Sequence, residues 1–141
     1  MGEREGGEAP SATVLGPRLA ADTVVMVRQG AGIRLDYSPG SLAFVDRVIE
    51  GMRHAERPAP RLTRTLIGFG AYTGEVLVRV AGAHWVAFDD GERELFGQSL
   101  GVRTPDGRLW NPLGKAVKRY ENGSEDSLRL FCLSVAGRAL A

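Results

Sequence analysis

The chain has 141 residues, 43% hydrophobic and 25% charged, with a formal net charge of +1. That is one domain's worth of sequence, enough to bury a core without covalent staples, and its balanced charge excludes electrostatic steering toward nucleic acid or an anionic membrane. A single cysteine, Cys132, excludes an internal disulfide framework and a multi-cysteine zinc site; its setting in LRLFCLSVAG reads as a buried, inert thiol.

The opening MGEREGGEAP lacks the basic start and apolar stretch of a secretion signal. No run approaches the ~18 apolar residues of a membrane-spanning helix, so a cytoplasmic location is expected. Residues 1–20 are rich in Gly, Glu, Ala and Pro and read as a mobile arm, with residues 21–141 forming one domain. The β-branched run TVVMVRQ (23–29) and the alternating IRLDY (33–37), separated by GAG, predict two strands of a hairpin.

Ser38 can cap a helix that Pro39 begins, because proline's missing N–H costs nothing in the first turn. Leu42, Val45, Val48, Ile49 and Met52 then recur at helical spacing until ERPAP forbids continuation. A second helical stripe runs through Leu62, Leu66, Phe69, Thr73, Val76, Leu77 and Val80. AHWVAF predicts a strand, closed by the turn signal Asp89-Asp90-Gly91. LFGQSLGVRT and RLWN flank Pro105-Asp106-Gly107, the composition of a hairpin turn. Pro112 begins a short helix through Tyr120, stopped by Asn122-Gly123, and Ser124 caps a last helix carrying Leu128, Phe131, Cys132 and Val135. The expected fold is α+β, a short antiparallel sheet of four or five strands packed with about four helices.

The stretch LIGFGAYTGEVLVRV can be read in two ways. As a phosphate loop, Gly68, Gly70 and Gly74 would precede a helix N-terminus aimed at a nucleotide, with Asp89 or Asp90 holding a ribose. That reading needs a spacing one residue longer than the commonest motif, and too little chain follows for a doubly wound sheet. As a helix, the apolar stripe runs unbroken across the glycines. Gly70 and Gly74, four apart, then open one face for a close neighbour, which must offset roughly 1 kcal/mol per interior glycine. The helix is the favoured reading.

Glu75 lies with Tyr72 and Arg79 off the main stripe. One reading is a surface ion pair with Arg79; the other is a carboxylate at a cleft rim near Trp85, which makes Tyr72, Glu75 and Trp85 the candidate binding residues. LDYSPGSLAFVDRVIEGM, GAYTGEVLVRVAGAHWV and NPLGKAVKRYENGSEDSL resemble blocks of a loosely defined group of small uncharacterised bacterial domains. That group combines an LDYS start, a G-x-Y-x-G-E helix core and a Trp strand. The resemblance covers about residues 33–132. It implies an α+β bacterial domain of unassigned activity, and it transfers no catalytic residue.

Other chemistry is sparse. His54 and His84 lack ligand spacing to each other, so no metal is expected. No G-x-S-x-G elbow is present, and Asp36, Glu75, Asp89 and Asp90 could pair only if the fold joined them. Lys115, Lys118 and Arg119 read as a solvated helix face, with a phosphate- or acid-binding patch as the alternative. Trp85 and Trp110 read as packing anchors. The expected function is therefore a non-catalytic protein-interaction or self-associating domain without a cofactor. A small-ligand or enzyme site at Tyr72, Glu75 and Trp85 is the first alternative, and nucleotide binding through the three glycines the second.

Overall fold

Helix α3, Leu62–Ala81, is the spine of the molecule, and its core-facing residues come from the predicted stripe: Leu66, Phe69, Val76 and Leu77 are all buried. A computed structural model of the chain describes residues 11–139 and shows why this helix tolerates its glycines. It is covered on several sides at once, by α1 (Ala12–Ala31), α5 (Pro112–Asn122) and α6 (Leu128–Ala139). Gly82 ends it in the left-handed conformation, φ 69°, which glycine adopts without strain.

Around that spine the described residues form six α-helices and one three-stranded antiparallel sheet, an α+β domain. Helix α2 spans Leu42–Arg53 and α4 spans Asp90–Phe96. The strands β1 (His84–Ala87), β2 (Leu100–Arg103) and β3 (Leu109–Trp110) pair in the order β1-β2-β3, with Trp85 opposite Val102 and Val102 opposite Trp110. The α+β class is as expected, with fewer strands and more helices.

The difference lies mainly at the N-terminal end. The first ten residues of the expected arm lie outside the described residues, but from Ala12 onward the chain is helical. The hairpin expected over 23–37 does not form, because 23–29 belongs to α1 and 33–37 is not in a strand. The reason is tertiary. Gly16, Ala20, Thr23 and Val27 recur at helical spacing and are the buried residues of α1. Packing that stripe against α3 and β1 outweighs the local strand preference of Thr23, Val24 and Val25.

Three further boundaries moved for reasons of capping. Asp89 does not close a turn: its carboxylate accepts from the Glu92 N–H at 2.8 Å while Glu92 accepts from the Asp89 N–H at 2.9 Å. This reciprocal box starts α4, which takes up residues 95 and 96 that were expected in a strand. Ser38 caps as expected, accepting from the Ser41 N–H at 3.2 Å, although the turn it caps, Pro39–Ser41, is a 3-10 turn leading into α2. Ser124 opens a second 3-10 turn, Ser124–Asp126, so it is Ser127 that precedes α6 and accepts from the Leu130 N–H at 3.2 Å.

Candidate functional site

Of the residues singled out in sequence, Gly74 and Glu75 meet at Trp85. Its indole is held between two glycines from different helices. A methyl group on Gly16 of α1, or on Gly74 of α3, would overlap the ring. Gly74 also admits Pro112, whose Cγ would sit 3.1 Å from such a methyl. Gly70, one turn earlier, faces the N-terminus of α5: a methyl there would lie 2.5 Å from Leu113 Cα and 2.8 Å from the Pro112 carbonyl oxygen. Gly68 faces the Thr23 hydroxyl of α1. All three glycines therefore sit inside a helix against neighbours, and not in a strand-to-helix loop that would aim free amides at a phosphate.

From Trp85 a chain of polar contacts runs to the start of α2. The indole N–H donates to Glu75 Oε1 at 3.0 Å, and Glu75 Oε2 lies 3.6 Å from Arg79 Nε. The Arg79 guanidinium stands 3.7 Å over the Tyr37 ring, which stacks on Tyr72 with centroids 5.0 Å apart. The Tyr72 hydroxyl accepts from the Tyr37 N–H at 2.7 Å and shares a 2.7 Å hydrogen bond with Ser41. Tyr37 is held at φ 63°, an uncommon conformation for a bulky residue. Burial pushes both phenols up in pKa, so both stay protonated at neutral pH. Beside them Asp36 accepts from the Ser38 hydroxyl and N–H at 2.6 and 3.0 Å, bonds that hold its carboxyl below the usual range.

The structure thus joins Glu75 to Trp85 directly and to Tyr72 only through Arg79 and Tyr37, with Tyr72 and Trp85 buried and the Glu75 side chain 13% exposed. Glu75 takes neither extreme expected of it. It pairs with the half-exposed Arg79 while its own carboxylate is largely covered, and one of its oxygens is bound to an indole. The four carboxylates weighed as a pair are dispersed into separate duties: Asp36 in a turn, Glu75 on Trp85, and Asp89 capping the helix that Asp90 begins.

A second cluster was not foreseen. Arg119, expected on a solvated face, is 4% exposed. Its Nε donates to Asp46 Oδ1 at 3.2 Å, its Nη1 to Glu50 at 2.7 Å and its Nη2 to the Asp46 carbonyl oxygen at 3.1 Å. Asp46 also accepts from the Leu128 N–H at 2.8 Å, the Arg129 N–H at 3.2 Å and the Ser127 hydroxyl at 2.8 Å. A carboxylate on α2 therefore caps α6 where the helix dipole favours negative charge. Hydrogen bonds from Arg119 and with His54 pull Glu50 down to about 2. Asp46 and Glu50 fall between the apolar positions of α2, and no local signal marks a cap more than eighty residues distant. Lys115 is likewise committed, with Nζ 2.6 Å from Asp126, whose carboxyl it holds low.

The side of the molecule formed by α4, α5 and α6 is open. Two adjoining hollows of about 180 and 300 Å³ share Phe96, Asn111, Gly114 and Lys118, with Phe131 lining the first and Leu95, Val117 and Glu121 the second. Trp110 packs edge-on against Phe131 at 6.1 Å and donates its indole N–H to Thr104 at 3.0 Å, so it acts as an anchor. Burial raises the Cys132 thiol to about 11, which leaves it un-ionised at neutral pH. Among the described residues no group of three or more His, Cys, Asp or Glu is placed to hold a metal ion, and no helix is long and apolar enough to cross a membrane.

No protein-family model, curated protein or solved structure matches the chain.

Proposed function

We propose that this chain is a non-catalytic interaction domain, acting by contact with another protein or with a second copy of itself. One observation carries the reading: large aliphatic side chains stand outside the fold on neighbouring elements. Leu130 and Leu133 of α6 are 59% and 43% exposed, and Leu95 at the end of α4 is 77% exposed. Helix α6 has apolar residues on both faces, with Leu128, Cys132 and Val135 turned into the core. Leu130 and Leu133 share the outer face with Arg129 and Ser134, so apolar atoms stand there among polar ones, as on a contact surface that is also exposed to water. The polar groups that could carry chemistry around Trp85 and Arg119 are meanwhile bound to one another.

Sedimentation at micromolar concentration, together with a pull-down, tests this. A dimer or a specific partner is expected, weakened by Leu130→Asp with Leu133→Asp. A monomer that captures no partner overturns the reading.

A second reading places a small-ligand site at Tyr72, Glu75 and Trp85. The strained backbone of Tyr37 supports it, because such strain clusters at functional sites. A ligand that raises the melting temperature of the wild-type chain but not of Glu75→Gln would establish it. A broad screen without any shift removes it.

A further inference from the structure

We propose that the groove between α4, α5 and α6 is a self-association surface whose occupant is a second copy of this chain, related by a two-fold axis. The inference rests on the interaction reading above and names the partner and the face. Gly114, Val117, Lys118 and Glu121 follow one another on α5 at i, i+3, i+4 and i+7, and all line the larger hollow. The same helix sends Leu113 and Ala116 into the core, with Val117 packed against it, so Lys118 and Glu121 are the residues of this stripe that stand exposed.

The charges on that stripe select the occupant. Lys118 and Glu121 are both exposed, and among the described residues no ion pair joins them. A partner presenting one sign of charge would match one of them and oppose the other. A two-fold axis passing between them sets Lys118 of each copy against Glu121 of the other, so one operation satisfies both. Two α5 helices related in this way run antiparallel, which also opposes their dipoles favourably. Leu95 supplies the apolar contact. It is the most exposed large hydrophobic residue described, it stands at the rim, and the adjacent hollow of about 300 Å³ can receive its counterpart from the second copy.

Sedimentation velocity from micromolar to submillimolar concentration provides the test, with circular dichroism confirming that each variant folds. The wild-type chain is expected to dimerise. Lys118→Glu and Glu121→Lys should each weaken the dimer at least about tenfold, because each places like charges opposite one another twice. Mixing the two single variants should restore association near the wild-type level, since the exchanged charges then face their opposites at both positions. The double variant Lys118→Glu with Glu121→Lys should dimerise alone for the same reason. A dimer indifferent to these charges, or single variants that mixing does not rescue, overturns the groove as the interface but leaves the interaction reading standing. A monomer that binds a different protein overturns the second copy alone. A monomer without any partner overturns both.

Discussion

The seam along α3 and the groove beside α5 are built from similar residues to opposite ends. Both contain glycines, aromatic rings and charged side chains. Along α3 each glycine is filled by a neighbour: Gly70 by the start of α5, Gly74 by Trp85, and Gly68 by Thr23. The polar groups there are paired inward, Glu75 to Trp85 and Tyr72 to Tyr37 and Ser41. Beside α5 the rings of Phe96 and Phe131 line hollows, and Lys118, Glu121 and Leu95 are left at the surface. Distinctive sequence is thus no guide to which surface the fold leaves open. The G-x-Y-x-G-E stretch that draws the eye builds a closely packed seam, whereas Lys118, read as part of a solvated helix face, remains open to solvent with Glu121.

Filling the seam should have the largest effect on stability. Gly70→Val adds atoms where even one methyl would meet the α5 backbone, and backbone cannot rotate away as a side chain tip can. A loss of about 3 kcal/mol or somewhat more is expected in urea unfolding. A change under about 0.5 kcal/mol, the range of a surface site, would show that the seam is not tightly closed.

Next in size is Asp46→Ala. It removes a cap from α6 and one of the two carboxylates that hold the buried Arg119 guanidinium. A loss of about 2–3 kcal/mol is expected, less than for a wholly stranded charge because Glu50 still pairs with Arg119. The same cluster sets an acid limit. Glu50 titrates at about 2 in the fold against an ordinary 4.5, so the unfolded chain takes up its proton first as pH falls. Its stabilising contribution is therefore complete above about pH 5 and is lost as pH falls toward 2. Asp126, held low by Lys115, has the same sign. Glu50→Gln should flatten the fall in urea midpoint across that window, and an unchanged slope would remove Glu50 as its cause.

Tyr72→Phe should cost about 1–2 kcal/mol, because the Tyr37 N–H and Ser41 lose a partner in a part-buried place while the ring stack remains. A neutral result in thermal unfolding would mean that water replaces the hydroxyl, and that this end of the seam is less closed than the Gly70 end.

These regions were unequally readable in sequence, and the reason is the range of the interactions involved. The stripe of α3 and the cap at Ser38 are local, so spacing and residue type sufficed. Helix α1 was mistaken for a hairpin because Thr23, Val24 and Val25 favour strands locally. Its helical stripe of Gly16, Ala20, Thr23 and Val27 becomes meaningful only once Trp85 and Gly68 are seen against it. Glu75 and Trp85 were named together from ten residues' separation, but a sequence cannot say that the indole would consume one of the carboxylate's oxygens. Arg119 reads as a solvated residue and Asp46 as no site at all, because the cluster that joins them spans three separate helices.

The smallest expected effect on stability belongs to the outer face of α6, the opposite extreme from the packed seam. Leu130→Ser and Leu133→Ser remove apolar atoms that already face water, so each should change unfolding free energy by no more than about 0.5 kcal/mol. Truncating a buried leucine of the same helix, Leu128→Ala, should cost about 2–5 kcal/mol by leaving a cavity. If the outer leucines instead behave like Leu128 at concentrations where the chain associates, and like surface residues once dilution makes it monomeric, the missing cover of α6 is a protein surface. A hydrophobic residue whose contribution depends on concentration is one that the fold alone does not bury.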